Sequence, residues 1–182
     1  MTARDATRGG GTGDGTLETA RLRLAPFHPA DADALSALFR NPHVRRYMLD
    51  GTLVERTWVV EEIDASRARF AAGTLGLFAA HLRESGELAG VSGFRPYEEL
   101  GMELLYALLP AHCGRGLATE MADAVVALAF RHGWHEVYAS VDAPNVHSIR
   151  VVERLGFALY EERTGAFGRM IRFVLRAPGL PT

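Results

Sequence analysis

Tyr106-Ala-Leu-Leu-Pro110-Ala-His-Cys-Gly114-Arg-Gly116-Leu-Ala-Thr-Glu120 runs from an apolar stretch through a proline into a loop with two glycines one residue apart, then directly into a helix-forming pattern. Strand, glycine loop and helix in that order build an anion site. The glycines let backbone N–H groups turn outward and let a ligand approach closely, and the first helical turn adds unpaired amide donors at the positive end of the macrodipole. A phosphate or pyrophosphate suits such a loop. Gly-x-Gly also opens many helices for packing reasons alone, so the flanking segments have to decide.

On the C-terminal side, a helix over 116–132 carries Leu117, Met121, Val125 and Leu128 at helical spacing, with Gly133 just past its end. Val137 to Val141 reads as a buried strand. Asp142-Ala-Pro144 turns into a short helix over 145–155, with Ile149, Val152 and Leu155 inward and Gly156 closing it, and 157–163 and 169–175 form a final hairpin. On the N-terminal side, strands over 75–83, 87–95 and 102–109 make an antiparallel meander whose first turn is Glu84-Ser-Gly86. Two helices precede them. The first, 29–40, has Pro at its first position, Leu35, Leu38 and Phe39 on one face, and Asn41-Pro42 as its stop. The second, 53–71, is opened by the capping box Thr52-Leu-Val-Glu55, sends Trp58, Val59, Ile63 and Phe70 toward the core, and ends at Gly73. Leu22 and Leu24 alternate with Arg21 and Arg23 in a first strand. Residues 1–16 lack large apolar side chains and read as a flexible tail, 17–177 as one domain, and 178–182 as a short C-terminal tail. The predicted architecture is α/β (α+β), a layer of helices on a mixed sheet.

A chain of 182 residues with 48% hydrophobic and 23% charged residues suits one soluble domain and leaves no room for a second large one. A formal net charge of −2 argues against a nucleic-acid surface spread over the molecule. The single cysteine, Cys113, excludes an internal disulfide and a cysteine-cluster metal site, and the seven histidines show no metal spacing, so no metal is expected. No run approaches a membrane span and no apolar signal core opens the chain. The expected location is the cytoplasm.

Four segments in order resemble the GCN5-related N-acetyltransferases (GNAT), and within them the RimJ/RimL type that acetylates ribosomal-protein N-termini. Leu17-Glu-Thr-Ala-Arg21-Leu-Arg-Leu with Asp31 is similar to the start of those proteins, Glu103-Leu-Leu-Tyr106-Ala-Leu-Leu-Pro110 to their central strand, and Gly114-Arg-Gly116-Leu-Ala-Thr-Glu120 to their acetyl-CoA loop. Asn145-Val-His-Ser148-Ile-Arg-Val-Val-Glu-Arg-Leu155-Gly156-Phe157 is similar to their second cofactor motif. The resemblance implies a GNAT fold, a mixed, mostly antiparallel sheet with splayed strands flanked by helices, and acetyl-CoA in the cleft. It implies direct acetyl transfer to an amine acceptor and at family level a homodimer, while charge and the lack of an apolar span already argue against nucleic-acid and membrane partners. It also implies that Ala111, His112, Cys113, Gly114, Arg115, Gly116, Leu117, Ala118 and Thr119 cradle the pyrophosphate, and that the main chain of Leu108 and Leu109 pairs with the pantetheine arm. Ala111 stands where the broad family often has Gln or Arg, and Val152 where it often has a tyrosine acid. The Rim-type serine is present as Ser148.

An attacking amine must lose a proton, and Glu103 is the candidate base, sharing a strand face with Leu105, Ala107 and Leu109, where apolar neighbours raise a carboxylate's pKa. Its structural alternative is a carboxylate at the strand's wet end or paired with Arg95. Ser148 is the candidate donor to the departing sulfur, and Asn145 a ligand of the pantetheine arm. Asn145 is equally a good helix N-cap and Ser148 an ordinary first-turn residue. Cys113 lies beside a helix N-terminus that would lower its pKa, but no base and orienting group accompany it. Trp58, Tyr47 and Phe70 fall on the acceptor side of such a fold, where core packing is their simpler use. The alternative readings are a non-catalytic acyl-CoA sensor, which would have no turnover for Glu103→Gln to remove, and an ATP-binding protein, disfavoured by the missing lysine after the loop glycines.

Overall fold

The computed structural model describes residues 15–97 and 100–179. The expected N-terminal tail therefore lies almost wholly outside the described residues, as do residues 180–182 of the C-terminal one; packing has already begun at Thr16, which is buried. Strands β1 (Leu17–Glu18), β2 (Leu22–Pro26), β3 (Leu77–Leu82), β4 (Leu88–Pro96), β5 (Met102–Leu108), β6 (Glu136–Asp142), β7 (Ala158–Gly165) and β8 (Gly168–Arg176) form one sheet in the order β1-β2-β3-β4-β5-β6-β8-β7. Among the described residues, only β5 and β6 run parallel. Their connection carries the helix α4 (Leu117–Arg131), as a parallel pair requires.

Strand alternation divides the apolar side chains into two cores. Leu22, Leu24, Phe78, Phe94, Leu104 and Leu108 pack under Leu117, Met121 and Val125 of α4 and under Val152 and Leu155 of α5 (Val146–Leu155). Leu77, Ala79 and Val91 face the other way, onto Leu35, Leu38 and Phe39 of α1 (Ala32–Arg40) and Val59 and Ile63 of α3 (Arg56–Ala71). The sheet approaches itself closely at two glycines. A Cβ on Gly90 would stand 2.1 Å from the Ala107 carbonyl oxygen, and one on Gly93, whose φ is +147°, 2.3 Å from that of Gly76.

Three local expectations change. The helix expected over 29–40 begins as a 3₁₀ turn, Pro29–Asp31, closed by a capping box in which His28 Nδ1 accepts from the Ala30 amide and Asp31 from the His28 amide. Asn41-Pro42 stops α1 but also starts the four-residue α2 (Pro42–Arg45), with Asn41 Oδ1 accepting from the His43 amide at 2.9 Å. The box over Thr52 to Glu55 does not form: α3 starts at Arg56, and its cap residue Glu55 makes no side-chain capping bond, its carboxylate lying 3.7 Å from Arg40 Nη1 instead. Asp50 and Gly51, both at positive φ, and an extended Thr52 carry the chain toward α3, while the Val54 carbonyl is taken by Arg40 Nη1 at 3.0 Å.

Candidate active site

The site begins where the sheet opens. β5 and β6 share a single register pair, Glu103↔Tyr138, whereas β5 pairs with β4 over seven positions. Beyond that pair the strands splay, and the edge of β5 facing β6 is left with backbone groups to offer. Because the Leu109 amide donates to the Ala89 carbonyl at 2.9 Å, the antiparallel ladder turns alternate residues Tyr106 and Leu108 toward the gap. Of the two residues expected to pair with a pantetheine arm, Leu108 faces the gap, whereas the Leu109 N–H is committed to β4.

At the mouth of the gap lies the glycine loop. Pro110–His112 forms a 3₁₀ turn, in which the His112 amide donates to Leu109 and the Cys113 amide to Pro110. Those two amides are therefore not available to an anion. Gly114 and Gly116 then take φ of +74° and +77°, which glycine adopts without the penalty a side chain brings, and Gly116 caps α4. Among the described residues, none of the amides from Gly114 to Thr119 donates a hydrogen bond, and the next amide, Glu120, returns to the Gly116 carbonyl at 3.1 Å. Six consecutive free N–H groups at a helix N-terminus form a nest for an anion. Buried Thr119 Oγ1 also lacks a partner among the described residues. The amide donors thus sit at 114–119, and Ala111, His112 and Cys113 form the turn that leads into them.

Glu103 lies on the face of β5 shared with Leu105 and Ala107, toward the core of α1 and α3, and is only 9% exposed. Burial raises its pKa above the ordinary value, opposed by Ser140 and, more weakly, by the charges of Arg172 and Arg95. Ser140, on the neighbouring β6, stands near enough for its hydroxyl and amide to favour the ionised form, while Glu103 Oε1 and Ser140 Oγ themselves are buried with no well-formed hydrogen bond among the described residues. The expected alternative, a pair with Arg95, is not made: Arg95 reaches Glu62 at 4.0 Å and stacks over Trp58 at 5.9 Å. Arg172, fully buried on β8, is fixed by Glu161 at 2.7 Å.

Ser148 stands across the sheet from Glu103, on α5. Its Oγ is 2.5 Å from the hydroxyl of Tyr106, which also donates to the Ser148 carbonyl at 3.1 Å. Burial pushes the Tyr106 phenol up to about 12, Ser148 working against it, so it remains a neutral donor. The sequence carries a signal for Tyr106 as well, a tyrosine in mid-strand between core residues Leu104 and Leu108, whose hydroxyl needs a partner. Asn145 caps α5, its Oδ1 accepting from the Ser148 amide at 3.3 Å, which leaves its NH₂ group for a ligand.

Two segments distant in sequence meet beyond the C-terminal end of β6. Tyr47 and Phe167 meet edge to face at 5.8 Å, a Cβ on Gly51 would lie 3.4 Å from the Phe167 ring, and Tyr47 Oη donates to the Pro144 carbonyl at 3.4 Å. Tyr47 thus belongs to a roof, while Trp58 packs on Phe39 at 5.5 Å and Phe70 on Phe78 at 5.1 Å. Cys113 lies 3.6 Å from His43 Nε2, and partial burial raises its pKa, contrary to the lowering expected from the helix terminus.

Residues 21–158 match the family model described as the acetyltransferase (GNAT) domain. The chain is 26% identical over 162 residues to the uncharacterized N-acetyltransferase p20 of Bacillus licheniformis, an alignment covering 86% of this chain and 91% of that protein. An acetyltransferase structure from Agrobacterium tumefaciens str. C58 superposes with a TM-score of 0.76 at 26% identity, covering 89% of this chain and 94% of that one. RimL, the ribosomal L7/L12 alpha-N-protein acetyltransferase solved with coenzyme A, shares the fold with a TM-score of 0.75 at 16% identity, covering 87% and 95%. Splayed strands, a loop of free amides and a family match that spans both place this chain in the GNAT acetyltransferases, the acetyl-CoA-dependent acyltransferases.

Proposed function

We propose that the protein transfers the acetyl group of acetyl-CoA directly to a primary amine, with Glu103 as base and Ser148, together with Tyr106, as donor to the leaving sulfur. The observation that carries this reading is the gap between β5 and β6, with six free amides at its mouth and, at its base, the buried Glu103 carboxylate, whose Oε1 lacks a partner among the described residues. The amides of 114–119 would hold the pyrophosphate, and the backbone of Leu108 would meet the pantetheine arm as a neighbouring strand does. Acetyl-CoA supplies the thioester. An amine arrives protonated at neutral pH, so Glu103 takes one proton, directly or through water; nitrogen then bonds the carbonyl carbon, the C–S bond breaks as nitrogen sheds its second proton, and the thiolate, held by a hydrogen bond from the hydroxyl pair, receives that proton relayed through the pair, which ends neutral. Glu103 and Ser148 lie on opposite faces of β5, so a donor threading the gap would meet both.

The acceptor is a protein N-terminal α-amine or a small-molecule amine. The likeness to RimL supports the first. Calorimetric titration with acetyl-CoA, with ATP as comparison, tests the site: micromolar binding of acetyl-CoA alone is expected, and binding of ATP in its place would overturn the reading. Glu103→Gln should keep that affinity and lose turnover in an amine screen.

A further inference from the structure

The pyrophosphate loop is gripped from behind by the opening of the sheet. Arg21, in the turn between β1 and β2, donates from Nη1 to the Arg115 carbonyl at 2.7 Å. The same side chain is held by Glu120, fourth residue of α4, through Nε at 2.7 Å and Nη2 at 2.6 Å. The Arg21 amide and the Thr19 hydroxyl add bonds to Glu120 Oε1 at 2.8 and 2.6 Å. Although burial opposes it, these donors hold the Glu120 carboxyl below the usual carboxylate range. Five contacts therefore tie one turn of the N-terminal hairpin to both the loop and the first turn of the helix it opens.

We propose that Arg21, fixed by Glu120, is a positioning residue that orients the pyrophosphate cradle by holding the Arg115 carbonyl. The reason is the planarity of the peptide. In a trans peptide the carbonyl and the following N–H point in opposite directions, so a carbonyl drawn to Arg21 turns the Gly116 N–H to the far side of the loop. Gly116, at φ +77°, has no side chain to restrain that peptide and would otherwise let it rotate. The free amides from 114 to 119 start from this point, so their common direction depends on it. Arg21 does not act as a bare positive charge, because Glu120 neutralises it. The inference rests on reading the loop as a pyrophosphate site.

Binding of two donors to wild type and Arg21→Met tests it: acetyl-CoA, and S-acetylpantetheine, which has the same thioester arm without the pyrophosphate. Arg21→Met is expected to raise the acetyl-CoA Kd about tenfold, roughly the strength of one charge-assisted hydrogen bond, and to leave the S-acetylpantetheine Kd unchanged. Equal weakening of both donors would overturn it in favour of a general structural role, and unchanged acetyl-CoA binding would overturn it outright. Wild type failing to bind acetyl-CoA would instead remove the site reading beneath it. Glu120→Gln, which keeps the side-chain shape and loosens its hold on Arg21, guards against a misfolded Arg21→Met and should show the same donor dependence at smaller size.

Discussion

Glu103 is ionisable in a place that favours its neutral form, and this links activity to stability at one residue. A base must be deprotonated to work, so with its pKa raised above 4.5 by burial, kcat/KM should fall on acidification at a pH above the ordinary carboxylate range. Glu103→Gln should lower kcat by about 10²-fold or more and abolish that acid limb, read from initial rates across pH. The same shift has a stability consequence of opposite benefit. A folded-state pKa above the unfolded one means the native state binds its proton more tightly, so stability is lost as pH rises from the unfolded value through the folded value. Glu103→Gln should therefore melt higher than wild type at pH 8, with the gap shrinking toward pH 4. Tyr106→Phe removes a hydroxyl from the Ser148 pair and should cut kcat about tenfold while the donor Kd changes little. The face that Glu103 shares with Leu105 and Ala107 was legible because strand alternation is strict. Its missing partner was not, because a neighbour on β6 is set by sheet order, which the residue sequence along β5 does not carry. The role of Tyr106 is hidden for the same reason: its partner is 42 residues away on α5.

At the scale of elements, order and facing were readable and the starts of helices were less so. Gly116, Gly133 and Gly156 bracket α4 and α5 as expected, since a helix end at positive φ needs glycine whatever surrounds it. The Thr52 to Glu55 pattern failed because a tertiary contact, Arg40 on the Val54 carbonyl, keeps that stretch extended. The difference is measurable. Thr52→Ala should change unfolding free energy by less than about 0.5 kcal/mol, as for a surface change with no cap to lose. Asn41→Ala, which removes an observed cap bond on His43, should cost about 1 kcal/mol in the same denaturant titration.

At the scale of the whole molecule, the cleft comes from one parallel pair placed among antiparallel ones, and its roof comes from two segments about 120 residues apart. The antiparallel meander was legible from turn residues and alternation, whereas the splay of β5 from β6 was implied by family resemblance alone, because a parallel pair leaves no local turn signature. The fold brings together the segment between α1 and α3 and the turn between β7 and β8, through Tyr47 and Phe167. Phe167 is 39% exposed and anchors the tip of the β7–β8 hairpin, so its ring does little for the core. What it does is pack on Tyr47, which reaches the Pro144 carbonyl beyond β6, and a roof over that end of the cleft keeps water from competing with the amine for a thioester. Phe167→Ala should then leave the melting temperature and the acetyl-CoA Kd near wild type but raise thiol release from acetyl-CoA several-fold when no amine is present. An unchanged thiol-release rate would mean that the roof selects the acceptor without excluding water, and the same variant would be expected to alter the KM of the amine instead.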